Sequence, residues 1–179
     1  MTLALFSTSQ PMGVINSATN LFGIEGEQRN RGVELTVYGA PMRGLRLLGG
    51  LTLLDAEQTK TAGGVNDGRD VIGAPKLQAN LGAEWDVSGV RGLALDGRMP
   101  HTASQHADAA NTQKLPSWQR VDAIVRYVMN RGERAITLRG QVENLTDRDY
   151  WASAGGYPGM GYLVLGAPRT LTVSATIDF

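Results

Sequence analysis

Apolar and polar residues alternate along most of this chain. At the C-terminal end Leu171, Val173, Ala175, Ile177 and Phe179 are apolar, and Thr170, Thr172, Ser174, Thr176 and Asp178 between them are polar. Nothing there recurs at helical spacing, so the segment predicts a strand with one apolar and one polar face. The alternation returns in residues 76–86, where Leu77, Ala79, Leu81, Ala83 and Trp85 oppose Lys76, Gln78, Asn80, Gly82, Glu84 and Asp86. It returns again in residues 33–38, 93–99, 118–129 and 135–146. Residues 45–54 are less regular, because Leu48 and Leu54 interrupt the pattern, and a more buried strand is expected there. Residues 2–7 read as a strand cut short. The fold class is therefore all-β, an antiparallel up-and-down meander of about eight strands.

The connections alternate too. Residues 39–44, 86–92 and 129–133 are short, glycine- or asparagine-containing turns of hairpin type. Residues 9–26, 56–73, 100–116 and 147–167 are long and rich in Gly, Ala, Asn, Asp and Thr. Loops longer than about 12–15 residues are uncommon in compact soluble domains. Transmembrane barrels carry short turns at one rim and long loops at the other. Alternation by itself fits a soluble barrel with its apolar face inside as well as a membrane barrel with that face on lipid. Two features favour lipid. Phe6, Tyr38, Trp85, Trp118, Tyr127, Tyr150, Trp151 and Phe179 lie near strand ends, as in interfacial girdles. The apolar positions also carry no charge, and a Lys or Arg on a lipid face costs about 2–4 kcal/mol at mid-bilayer.

Composition trims the possibilities. The 179 residues are 42% hydrophobic and 19% charged, which excludes a disordered chain. Seventeen basic residues balance seventeen acidic ones, so no global charge favours nucleic acid as a partner. There is no cysteine, which removes disulfides, CxxC redox chemistry and thiolate metal sites. No apolar run approaches the roughly 20 residues of a membrane helix. The first residues lack the basic region and apolar length of a signal peptide, so a further segment is expected upstream.

Catalytic patterns are lacking: there is no GxSxG, HExxH, P-loop or Rossmann glycine signature, and no cofactor is expected. His101 and His106 share a long loop without an evident third ligand, so no metal site is assigned. Arg120, Asp122, Arg126, Arg139, Glu143, Lys76 and Glu84 read as polar-face charges that pair across strands or meet water. Residues 150–163, with Tyr157 and Tyr162, are aromatic and glycine-rich. Such a loop can hold a hydrophobic or catecholate chelate, or pack on its own rim, and no ligand residue is assigned.

Four motifs carry a resemblance. Within residues 27–35, Arg31-Gly32-Val33-Glu34 resembles the R-G-x-E part of a strand found in TonB-dependent outer-membrane receptors. Asn144-Leu145-Thr146-Asp147-Arg148-Asp149-Tyr150 resembles their N-L-x-D-x-x-Y segment after a late strand. Gly166-Ala167-Pro168-Arg169 is similar to the G-x-P-R entry to their last strand, and Phe179 to their terminal aromatic. Ferric-siderophore receptors are the most similar subgroup. The resemblance implies the C-terminal part of a transmembrane β-barrel, with residues 1–179 one partial barrel domain lacking the plug domain and signal peptide. It implies outer-membrane lipid around the wall and a ferric siderophore as cargo of the full-length receptor. It implies energy coupling by TonB through a box in a missing N-terminal segment, and recognition of Phe179 by the barrel assembly machinery. Two other readings stay open: a complete eight-stranded outer-membrane protein with a structural or adhesive role, and a soluble lipocalin-like binding module.

Overall fold

The computed structural model describes residues 1–16, 18–132, 134–157 and 160–178, the side chain of Tyr157 excepted. The strands are β1 (Thr2–Ile15), β2 (Phe22–Met42), β3 (Leu45–Lys60), β4 (Leu77–Asp86), β5 (Leu93–Thr102), β6 (Gln105–His106), β7 (Lys114–Leu115), β8 (Trp118–Gln119), β9 (Asp122–Arg131), β10 (Arg134–Glu143), β11 (Trp151–Tyr157), β12 (Met160–Leu165) and β13 (Thr170–Ile177). A main sheet runs in the order β1-β2-β3-β4-β5-β9-β10-β13, with β8 beside β5, and every pairing is antiparallel. Two small hairpins, β6–β7 and β11–β12, stand apart from it in the long loops.

Register carries the alternation across the whole sheet. Leu3 faces Leu35, Leu35 faces Leu51, Leu51 faces Ala79 and Ala79 faces His101. Leu95 faces Val125, Val125 faces Gly140 and Gly140 faces Val173. Residues directly opposite in an antiparallel pair share a face, so these rows make one continuous surface, apolar except where the first row ends on His101. A one-residue slip in β4 would carry Glu84 and Asp86 onto that surface, which fixes the register.

The apolar face is open. Leu5, Leu81, Leu171 and Val173 are exposed by 77%, 56%, 71% and 76%, whereas the buried apolar residues among those described are few. A lipocalin-like module would turn those leucines inward. Nor do the eight long strands close on themselves. Among the described residues β1 pairs only with β2 and β13 only with β10, leaving two free edges. Neither the soluble module nor the self-closed eight-stranded barrel is favoured by this arrangement.

Three sequence expectations need correction. β1, β2 and β3 are longer than the alternation predicts, at 14, 21 and 16 residues, so most of the expected 9–26 loop is strand. Beyond Leu5 and Leu53 the face that carries them turns polar, with Ser7, Ser9, Arg29, Arg31, Asp55 and Glu57 on it, and strict alternation ceases to mark the ladder although backbone pairing continues. β3 is not more buried: Leu48 lies on the polar face opposite Tyr38 and Gly82 and is 54% exposed. The aromatics divide between faces. Trp85 and Tyr127 stand in the apolar rows at the short-turn end, while Tyr38, Phe6 and Trp118 lie in polar-face rows. Phe179 lies outside the described residues.

Candidate functional site

Chemistry gathers at the long-loop end. There the segment after β3 folds back on the end of that strand. The buried Gln58 amide donates to the carbonyls of Asp70 at 3.0 Å and Ala109 at 2.9 Å. Asn111 completes the junction, accepting from the Asp70 N–H at 2.8 Å and donating to its carbonyl at 3.0 Å. Gly73 donates to the His106 carbonyl at 2.9 Å. Its φ of +69° and its approach to the Ala154 carbonyl leave no room for a side chain. Gln105 and Trp118 both donate to the Ala152 carbonyl, at 3.2 and 3.1 Å. Three loops are thus tied into one cap by backbone carbonyls.

The cap and the ends of β1, β2 and β3 line a half-open cavity of about 740 Å³. Met12, Val14, Gln28 and Gln58 come from the strands, and Asp108 and Tyr162 from the loops. That volume falls in the range of small-molecule sites. Tyr162 was visible in the sequence as part of the aromatic loop, and its ring lies over Gly155, its cross-strand partner. Met12 and Val14 were missed, because their strand end read as loop, and Gln28 lay in the strand motif of residues 27–35 without being assigned to a site. Asp108 accepts from the Gln113 N–H at 2.6 Å and from the Thr112 N–H and hydroxyl at 3.1 and 2.8 Å. The first of these contacts above all holds its carboxyl below the usual carboxylate range.

A second cluster joins the end of β10 to the start of β13. Asn144 is fully buried with φ +53°. Its N–H donates to Asp122 at 2.9 Å, and its amide donates to the carbonyls of Arg148 at 2.9 Å and Ala167 at 3.1 Å. Asp147 accepts from the Arg169 N–H at 3.2 Å and pairs with its guanidinium at 3.1 Å. The Tyr150 carbonyl accepts from Gly166 at 2.8 Å, and the Tyr150 ring covers Gly166. That ring also sits 4.5 Å from the ring of Trp118. The Pro168 carbonyl accepts from the Thr170 hydroxyl at 3.0 Å, while Leu145 is exposed. Two motifs separated in sequence are therefore one structural knot. Arg31, Gly32 and Glu34 lie apart from it on β2. Arg31 pairs with Asp55 at 3.0 Å on the face of Val33 and Leu53, beyond the apolar rows. Gly32 and Glu34 lie on the polar face, and no ion pair of Glu34 is found among the described residues.

Polar-face charges form a network at the short-turn end and further pairs next to the long loops. Arg46 lies between Glu84 and Asp86, and Arg126 reaches Glu84 at 2.8 Å. Arg120 pairs with Asp122 at 3.1 Å, Lys76 with Asp70 at 3.2 Å, and Glu143 accepts from Gln141 at 2.7 Å. Arg139 stands directly opposite Arg126. The two histidines diverge: His101 faces Ala79 in β5, whereas His106 lies 3.4 Å from Asp70.

A meander with one exposed apolar face and a loop cap at one end is a wall, and its kind is settled by comparison. The family model described as "TonB dependent receptor-like, beta-barrel" matches residues 3–145. The chain belongs to this family. As a member of the TonB-dependent receptor barrels, it is 43% identical over 178 residues to a ferrichrome receptor, FcuA, of Yersinia enterocolitica, covering 99% of this chain and 23% of that protein. It is 34% identical to the ferrichrome outer membrane transporter/phage receptor of Escherichia coli K12, covering 89% of this chain and 21% of that one. Among solved structures, the ferric preacinetobactin receptor BauA of Acinetobacter baumannii superposes with a TM-score of 0.84 at 39% identity. That match covers 99% of this chain and 27% of the receptor. The chain thus spans about a quarter of the length of these TonB-dependent receptors.

Proposed function

We propose that this chain forms part of the wall of an outer-membrane receptor that imports a ferric siderophore with energy supplied through TonB. The observation that carries the proposal is a single polarity: an apolar surface spanning the sheet, with a roofed cavity at the long-loop end. From Leu45 to Leu53 the apolar row of β3 extends roughly 26 Å at about 3.3 Å per residue. At a strand tilt of about 40° this is about 20 Å along the membrane normal, close to the band of a transmembrane barrel. On this reading lipid meets Leu81 and Val173, the polar face lines the lumen, and the capped cavity opens to the cell exterior.

The ends of the sheet fit the same reading. Free edges on β1 and β13 would pair with other strands of the full barrel, since unpaired edges inside a bilayer leave backbone groups unsatisfied. Glu34 and Arg139 on the polar face offer charges to a plug domain. TonB would act through a segment outside this chain, and Phe179 would present the terminal aromatic to the assembly machinery. The motif residues Arg31, Gly32, Glu34, Asn144, Leu145, Asp147, Tyr150, Pro168 and Arg169 serve the wall rather than the cargo.

Uptake of radiolabelled iron by cells carrying the full-length receptor tests the proposal. Uptake of a ferric siderophore that requires both the receptor gene and TonB is the expected result. Uptake unaffected by deletion of the receptor gene, across hydroxamate, catecholate and carboxylate chelates, would reject it.

A further inference from the structure

Both ends of the sheet carry cations, and the two ends treat them differently. At the long-loop end Arg29 pairs with Glu57 at 2.6 Å and Arg31 with Asp55 at 3.0 Å, on the face of Val33 and Leu53. At the short-turn end Arg43 lies between β2 and β3, Arg91 lies between β4 and β5, and Arg131 and Arg134 flank the turn between β9 and β10. All four are exposed. Among the described residues Arg43, Arg91 and Arg131 make no ion pair. The acids of this rim are few. Asp86 is taken by Arg46, Asp178 bonds across to Ala135 in a polar-face row, and Glu133 is the one acid within the three turns.

Register sets where the cations of the last hairpin stand. Met129, Ile136 and Ile177 form the outermost apolar row of β9, β10 and β13, and Tyr127 lies one row further in. Arg131, directly opposite Arg134, is the next row on the same face. On the membrane-wall reading, a side chain one row beyond the apolar band and its aromatics meets lipid headgroups. Like charges directly opposite each other repel. A phosphodiester beside them relieves that repulsion, because a guanidinium presents its donors in a fork that matches phosphate oxygens. A zwitterionic headgroup brings its own amine to the phosphate and gains less. We infer that the short-turn rim binds the headgroups of anionic phospholipids through Arg43, Arg91 and Arg131. The inference rests on the membrane-wall reading above and adds to it a lipid partner on the side away from the loop cavity.

The test uses the purified full-length receptor in vesicles of mixed phosphatidylglycerol and phosphatidylcholine. A fluorophore on Met129→Cys, with any cysteine elsewhere in the receptor replaced by serine, reads the lipid beside the rim. Quenching by dibrominated phosphatidylglycerol is compared with quenching by dibrominated phosphatidylcholine of the same chain length. A preference of about threefold for phosphatidylglycerol is expected at low salt, falling toward parity in about 1 M salt. The same fluorophore on Val33→Cys, beside the paired arginines, is expected to show no preference. Arg43→Gln, Arg91→Gln and Arg131→Gln together should bring the preference at position 129 close to parity, and lysine at the same three positions should keep most of it. Equal quenching by the two lipids at position 129 would overturn the inference and leave these arginines to a soluble acidic partner. A preference that survives the three glutamine substitutions would overturn the arginines as its source. Quenching by neither lipid at both positions would instead remove the membrane-wall reading.

Discussion

The side-chain amide of Asn144 donates to the carbonyl of Ala167 at 3.1 Å, tying the end of β10 to the residue two places before Arg169. The same amide group serves Arg148 from both of its polar atoms, and the residue is wholly buried. Replacing it by alanine strands several buried partners, at about 1–3 kcal/mol each. Asn144→Ala is therefore expected to destabilise the full-length receptor by about 3 kcal/mol or more. Asn144→Gly keeps the left-handed backbone at φ +53° and should recover the 1–2 kcal/mol or so of strain, but not the hydrogen bonds. The heat needed to convert the folded gel band into the unfolded one should rank wild type, then Asn144→Gly, then Asn144→Ala.

Phe6 lies directly across from Gly32, with its ring over the glycine. A Cβ on residue 32 would meet that ring and the Leu53 carbonyl together. Gly32→Ala is expected to cost about 1–3 kcal/mol by overpacking. Adding Phe6→Leu should restore only part of it, because the backbone carbonyl stays where it is. Folding of the two variants into vesicles, monitored against urea, measures both values.

Leu81 and Asn80 are neighbours on β4 with opposite faces. Leu81→Arg places a cation in the centre of the apolar surface and is expected to cost about 2–4 kcal/mol in a bilayer. Asn80→Arg places it on the polar face and should change folding by less than about 1 kcal/mol. Equal costs for the two substitutions would contradict the assignment of faces.

Asp108 closes the β6–β7 hairpin through Thr112 and Gln113. Its carboxyl is more acidic in the folded state than in the unfolded one. Its contribution is therefore complete above the ordinary carboxylate pKa and is lost as pH falls through the lower folded value. Lowering the pH from 7 to 5 should leave the hairpin unaffected. Asp108→Asn removes the charge at every pH, and limited trypsin digestion of the receptor at pH 8 should then cut after Lys114 faster than in wild type.

How much of this was legible in the sequence depends on what each face meets. β4 and β13 were readable because every second residue is apolar from Leu77 to Trp85 and from Leu171 to Ile177. The upper parts of β1 and β2 were not, since Ser7 opposite Arg31 and Ser9 opposite Arg29 leave the outer rows polar. The β11–β12 hairpin was hidden for another reason. It contains Gly155, Gly156 and Gly161, and its order depends on Tyr162 lying over Gly155, which hydropathy does not record. The candidate cavity inherits both gaps. Its wall is made by strand ends that lost their alternation and by loops held together through carbonyls. The knot of Asn144, Asp147 and Arg169 appeared as two short motifs whose contact only the fold reveals.

The most direct test of the account uses the fact that residues 1–179 contain no cysteine, with any cysteine elsewhere in the receptor first replaced by serine. Single cysteines placed in turn at positions 77–86 of the full-length receptor can be challenged in isolated outer membranes with a water-soluble thiol reagent and a lipid-phase one. The account predicts a period of two, with Leu77, Ala79, Leu81, Ala83 and Trp85 reached from lipid and the positions between them from water. Uniform reaction with the water-soluble reagent along β4, or recovery of the receptor outside the membrane fraction, would contradict it.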